Sequence, residues 1–185
     1  MWSDNTMQSI RNMLVGAACV LATSIAFAAP PRVEQFDVAT WEQLKNELSR
    51  PSVVVFTATY SGTATVTVTD GIADIRATGA GKGAPIGAGK ITGVGKGDAN
   101  QQPCVPFTGP GTMTGTAKNK LLFKVIAGST GCGDEAGQVF SISGKAAVVK
   151  GTGKLANIRG TLKFTGVYDR GAGTFTVKFK GKLTQ

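Results

Sequence analysis

The chain contains no histidine. That absence removes the side chain most often used as a general base and as a metal ligand. It also excludes Ser-His-Asp hydrolysis in its usual form. Cysteine is scarce, with three in 185 residues. Cys104 and Cys132, unaccompanied by histidine, do not make a zinc site, so neither a metal nor a cofactor is expected. Acidic residues are few as well, 11 Asp and Glu against 20 Lys and Arg. Paired carboxylates are the next resort for acid–base work. Here they occur as Asp70 and Asp74 near a turn and as Asp134-Glu135 in a loop, where carboxylates are ordinarily solvated turn residues. Asp74 and Arg76 share a strand face, which places them either as a polar pair inside a barrel or, more commonly, in solvent. No catalytic residue is assigned.

A long apolar run is also missing. The longest, from Met13 to Ala28, falls short of the roughly 20 residues of a comfortable membrane span. It comes after Arg11 and closes with Ala26-Phe27-Ala28 before Ala29-Pro30-Pro31. That is the charged, apolar and small-residue order of a signal peptide. Residues 1–28 are therefore read as a signal removed near Ala28, exporting the protein to a periplasmic or extracellular space. An uncleaved anchor is the alternative, and Cys19 is part of the apolar run. The remaining chain, from Ala29 to Gln185, suits one domain with a real core. It keeps two cysteines, and an even count in an exported chain favours a Cys104–Cys132 disulfide. Closing the loop between them contributes about 3–4 kcal/mol in the chain-entropy treatment.

Glycine, by contrast, is abundant, at 26 residues. A phosphate-binding loop needs Gly, four residues, then Gly-Lys and Ser or Thr. Gly89-Lys90 has Ala84 and Ile91 at the outer positions, and Gly153-Lys154 has Val148 and Leu155, so both fail. From Gly62 onward the glycines instead punctuate alternating apolar and polar residues, the pattern of half-buried strands. Eight such runs are predicted, at 62–69, 72–80, 87–97, 108–117, 120–128, 138–149, 159–168 and 173–183. Asp70-Gly71, Ala84-Pro85, Lys118-Asn119 and Arg170-Gly171 supply turns between them. The cysteines fall in the loops 98–106 and 129–137. In the last run Phe175, Val177, Phe179 and Leu183 face one way and Lys178, Lys180 and Lys182 the other. In its neighbour Leu162, Phe164, Gly166 and Tyr168 share a face. The fold class is thus all-β: an eight-stranded antiparallel β-barrel over residues 62–185, filled by side chains or holding one small ligand. A short helix-containing segment precedes it.

That segment, residues 29–61, reads β-α-β. Val33 to Asp37 is strand-like. Thr40, with Gln43 three residues on, begins a helix as a capping box, and Trp41, Leu44 and Leu48 share one helical face. Ser52 to Tyr60 is an apolar strand. From Val33 to Ala64 the chain resembles the start of a thioredoxin-fold protein. Ser61 and Ala64 stand where that family has its two reactive cysteines, so thiol–disulfide exchange is excluded. The segment reads either as a fragment at a fusion junction or as a common helix–strand pattern.

Residues 62–183 resemble the allene oxide cyclase barrel-like family, related in fold to dirigent proteins. The carrying residues are Gly62-Thr63-Ala64, Ala77-Thr78-Gly79-x-Gly81, Pro85-Ile86-Gly87, Gly128-Ser129-Thr130-Gly131-Cys132, Gly151 to Ala156 and Gly173-Thr174-Phe175-Thr176-Val177. The resemblance implies an eight-stranded barrel with an apolar interior. The plant enzymes of that family cyclise a fatty-acid epoxide and dirigent proteins steer phenolic radical coupling, but no functional residue of either group is placed on this chain, so neither activity carries over.

Three functions stand as expectations. The first is a non-catalytic module holding a small apolar ligand in the barrel mouth, lined by Phe123, Phe164, Tyr168, Phe175 and Phe179. The second is an isomerase or cyclase acting on a lipid or phenolic substrate. The third is a surface protein binding anionic polysaccharide or lipopolysaccharide through its basic face. Residues 76–185 carry sixteen Lys and Arg against four Asp and Glu, but alternation of lysines with core residues favours a merely solvated face. Specific nucleic-acid binding is not expected, because the phenylalanines and lysines of 175–182 lie on opposite faces.

Overall fold

The computed structural model describes residues 38–48 and 50–185. The expected signal peptide and the strand at Val33–Asp37 lie outside the described residues. The chain divides into two compact units, Met1–Leu44 and Lys45–Gln185. The one described α-helix, α1, runs Val38–Leu48. Thr40 is therefore inside its first turn and not at its cap. Trp41 and Leu44 are both exposed.

From residue 50 onward the chain is built of strands. In order they are β1 (Val53–Thr69), β2 (Ile72–Ala84), β3 (Gly87–Asp98), β4 (Cys104–Thr114), β5 (Lys120–Val125), β6 (Thr130–Gly133), β7 (Val139–Thr152), β8 (Thr161–Asp169) and β9 (Thr174–Thr184). Every pairing is antiparallel. β1 pairs with β2 on one side and with β9 on the other. β3 pairs with β4, and β7, β8 and β9 pair in turn. β5 and β6 lie end to end in one place between β4 and β7. The sheet therefore closes into an eight-stranded barrel with one strand interrupted. Closure leaves no free edge, which long Thr- and Val-rich strands would otherwise present.

Three expectations change here. The strand at 52–60 and the run at 62–69 are a single strand, β1, in which residues 53–63 pair with the whole of β9 and residues 57–69 with β2. The boundary at residues 61 and 62 thus falls inside one barrel strand. Thr130–Gly133, expected in a loop, is a strand. The cysteines accordingly do not join two loops. Cys104 and Cys132 oppose each other directly on β4 and β6 and form a disulfide.

The interruption between β5 and β6 is held by Ser129, which is fully buried. Its hydroxyl donates to the Ile126 carbonyl at 2.8 Å and accepts the Lys145 N–H at 3.1 Å. It thereby satisfies ladder groups that the break leaves unpaired. At the β1–β2 hairpin Asp70 and Gly71 both have positive φ, 52° and 76°. This is the two-residue turn whose twist matches right-twisted strands.

Interior packing differs between the barrel's two ends. One end holds the start of β1, the β2–β3 and β4–β5 turns, the 153–160 connection and the end of β9. There Phe56, Ile86, Met113, Leu121, Leu155, Leu162 and Leu183 are all 0% exposed. Asn119, also buried, stitches this end shut. Its Nδ2 donates to the carbonyls of Pro85 (3.4 Å) and Ile86 (3.3 Å), and its Oδ1 accepts the Lys154 N–H at 2.9 Å. Three separate connections are thus tied through one side chain.

Candidate functional site

The other end is open. It holds the β1–β2 and β8–β9 turns, the β3–β4 and β6–β7 loops and the disulfide. The interior here is a cavity of about 230 Å³. Its shape comes from two unlike walls. Strands β1, β2 and β3 turn small or aliphatic residues inward: Ala64, Val66, Ala73, Ile75, Ala77 and Gly93. Strands β4, β5, β7, β8 and β9 turn aromatic residues inward. Neither wall is large enough to fill the space between them, because close packing needs large side chains to meet small ones.

The floor is an aromatic layer. Phe179 lies 5.5 Å from Phe123 and 5.7 Å from Phe164, and Phe164 lies 6.1 Å from Phe107, all in tilted geometries. Such offsets are favoured by ring quadrupoles. Higher up, Phe140 and Tyr168 stand 6.1 Å apart. All five residues expected to line a ligand site, Phe123, Phe164, Tyr168, Phe175 and Phe179, border this one cavity. Sequence reasoning missed Phe107, Phe140 and Ile142, which border it too. A signal existed for the last two: Phe140 and Ile142 alternate with Ser141 and Ser143, the period-2 mark of one inward face.

Below the floor is Tyr60, fully buried and edge-on to Phe179 at 6.5 Å. Its hydroxyl has no hydrogen-bond partner, and burial pushes the phenol up to about 12. Tyr168 and Arg170 are the only ionisable residues of the cavity lining, and the other 26 are aliphatic, aromatic, glycine or neutral polar. An interior of this kind can bind and shape an apolar molecule but offers little for proton transfer.

The carboxylates lie elsewhere. Asp74 is exposed and ion-paired with Lys96 at 3.7 Å, so it does not form a pair with Arg76 inside the barrel. Asp134 Oδ1 accepts the N–H groups of Gln138 (2.8 Å) and Val139 (3.2 Å), a turn-closing role. The Gln101 side chain, and next the Asn100 N–H, hold Asp98 below the usual carboxylate range. Among the described residues no group of three His, Cys, Asp or Glu is placed to hold a metal ion. No family model, curated protein or solved structure matches the chain.

Proposed function

We propose that the barrel is an exported, non-catalytic binding module that takes a small apolar ligand through its open end. One observation carries this reading: the interior is packed solid at the closed end and hollow at the aromatic-lined end. An apolar cavity of about 150 Å³ is known to stay dry and accept benzene. By proportion, about 230 Å³ suits a ligand of roughly nine or ten heavy atoms, a single ring with a short arm. The Cys104–Cys132 disulfide supports an oxidising, exported location.

The test fills the cavity. Ala77 borders it on β2 and is flanked across the ladder by Ala64 and Gly93, so Ala77→Phe projects a ring into open space. Calorimetric titration with single-ring apolar compounds should give binding with a negative heat-capacity change. The variant should lose that binding while keeping its thermal stability. A wild-type protein that binds none of these compounds, or a variant that binds them equally well, refutes the reading.

A second reading, an isomerase or cyclase for a lipid or phenolic substrate, draws support from the family resemblance over residues 62–183. It is favoured by the presence of Tyr168 and Arg170 in the lining. Substrate turnover that is lost in Tyr168→Phe with binding retained would select it.

A further inference from the structure

The barrel's charges are segregated along its axis. Between residues 50 and 185 the carboxylates are Asp70, Asp74, Asp98, Asp134, Glu135 and Asp169. Every one lies in a turn, loop or strand end at the open end, in or beside the elements that border the cavity. The other half of the barrel wall carries lysines and no carboxylate from this stretch. Register makes the arrangement specific. Lys145 on β7 directly opposes Lys163 on β8, which directly opposes Lys180 on β9. In the next row Ser143, Thr165, Lys178, Thr59 and Lys82 succeed one another across five strands. All five of these lysines are exposed.

Simple alternation with core residues accounts for lysines pointing outward. It does not account for three of them standing directly opposite one another, about 4.8 Å apart from strand to strand, since like charges in cross-strand pairs are unfavourable. Nor does it account for the six carboxylates all lying at the far end. Among the described residues the lysines of these rows have no carboxylate within ion-pair distance.

We infer that this outer face of β7, β8, β9, β1 and β2 is a docking surface for an anionic polysaccharide, separate from the cavity and leaving its mouth free. Charge complementarity selects a polyanion. The hydroxyls of Ser143, Thr165, Thr57 and Thr59, interleaved with the lysines, suit a hydroxyl-bearing chain. Every aromatic side chain between residues 50 and 185 is buried or half-buried, so the face has no ring on which a nucleic-acid base could stack.

The test compares two triple variants of the full chain that change net charge equally: Lys145→Gln/Lys163→Gln/Lys180→Gln, and Arg76→Gln/Lys96→Gln/Arg170→Gln at the open end. The probes are heparin, a sulfated polysaccharide, and polygalacturonate, a carboxylated one, at physiological salt. The first variant should bind at least tenfold more weakly, with a flatter salt dependence, and should melt no lower than wild type because like-charge pairs have been removed. The second should bind as wild type does. Equal weakening in both variants reduces the effect to net charge and overturns the inference. So does a wild type that binds neither polysaccharide. Tighter binding at the same salt to duplex DNA, or to vesicles rich in phosphatidylglycerol, also overturns it and assigns the face to that partner instead.

Discussion

Replacing Tyr60 with phenylalanine should make this protein more stable. The Tyr60 hydroxyl is fully buried and without a partner. Keeping a hydroxyl from water unpaired costs about 1–3 kcal/mol. The void left by one oxygen, at roughly 24 cal/mol per Å³, returns only a few tenths of a kcal/mol. Tyr60→Phe should therefore gain about 1–2 kcal/mol at neutral pH, a rise of about 3–8 °C in Tm for a domain of this size. The pH dependence sharpens the test. Burial raises the phenol to about 12, against about 10 in an unfolded chain. Between those values the unfolded chain binds fewer protons than the folded one, so stability falls as pH rises. The loss amounts to roughly 2 kcal/mol by pH 12. Phenylalanine has no proton to lose, so the variant should lack this alkaline component. Denaturant melts at neutral and alkaline pH, read against tyrosinate absorbance, measure both effects. A variant less stable by 1 kcal/mol or more, or alkaline curves that superimpose, would show that the hydroxyl is satisfied and the reasoning wrong.

Other outcomes are expected from the closed end, the bridge and the first strand. Asn119→Ala leaves backbone groups of two other connections, at Pro85, Ile86 and Lys154, without their partner and should lower stability by about 2–3 kcal/mol in urea melts; a loss under about 0.5 kcal/mol would mean that water replaces it. Reducing the Cys104–Cys132 bridge, sequence separation 28, should lower stability by about 3–4 kcal/mol without unfolding the barrel at room temperature. An unchanged Tm, or two free thiols in the unreduced protein, counts against the bridge. A chain that begins at Gly62 loses Phe56 and Tyr60 from the core, each 0% exposed. Truncating one such aromatic costs about 3–5 kcal/mol against a typical total of 5–15, so this shorter chain should show no cooperative melt by circular dichroism.

Much of the barrel could be read from its alternation. The facing of β9, with Phe175, Val177 and Phe179 inward and Lys178 and Lys180 outward, is as the period-2 pattern requires. So are the positions of the Asp70-Gly71 hairpin and of the five aromatic residues that border the cavity. What the pattern did not convey was continuity and register. Ser61-Gly62 looks like a break between runs. Yet Gly62 lies mid-strand because the β2 backbone approaches so closely there that a side chain would meet the Thr78 carbonyl. Thr130–Gly133 is too short and glycine-rich to announce a strand; it is one because β4 and β7 already stand on either side of it. The lysine rows were invisible for the same reason. Which lysine faces which depends on pairings between residues as far apart as Thr59 and Lys178, and local sequence does not encode them. The small wall opposite the aromatic wall was legible in part: Ala64, Ala73 and Ala77 recur at inward positions, but only the closed barrel shows that nothing crosses the gap they leave.

The half-filled interior is tested most directly by native mass spectrometry of the protein purified from its own host, beside Ala77→Phe. The expected result is a bound apolar compound of about ten heavy atoms on the wild type and none on the variant. A wild type that carries no adduct, together with a crystal structure in which side chains fill the space between Ala77 and Phe179, would contradict the binding-module reading.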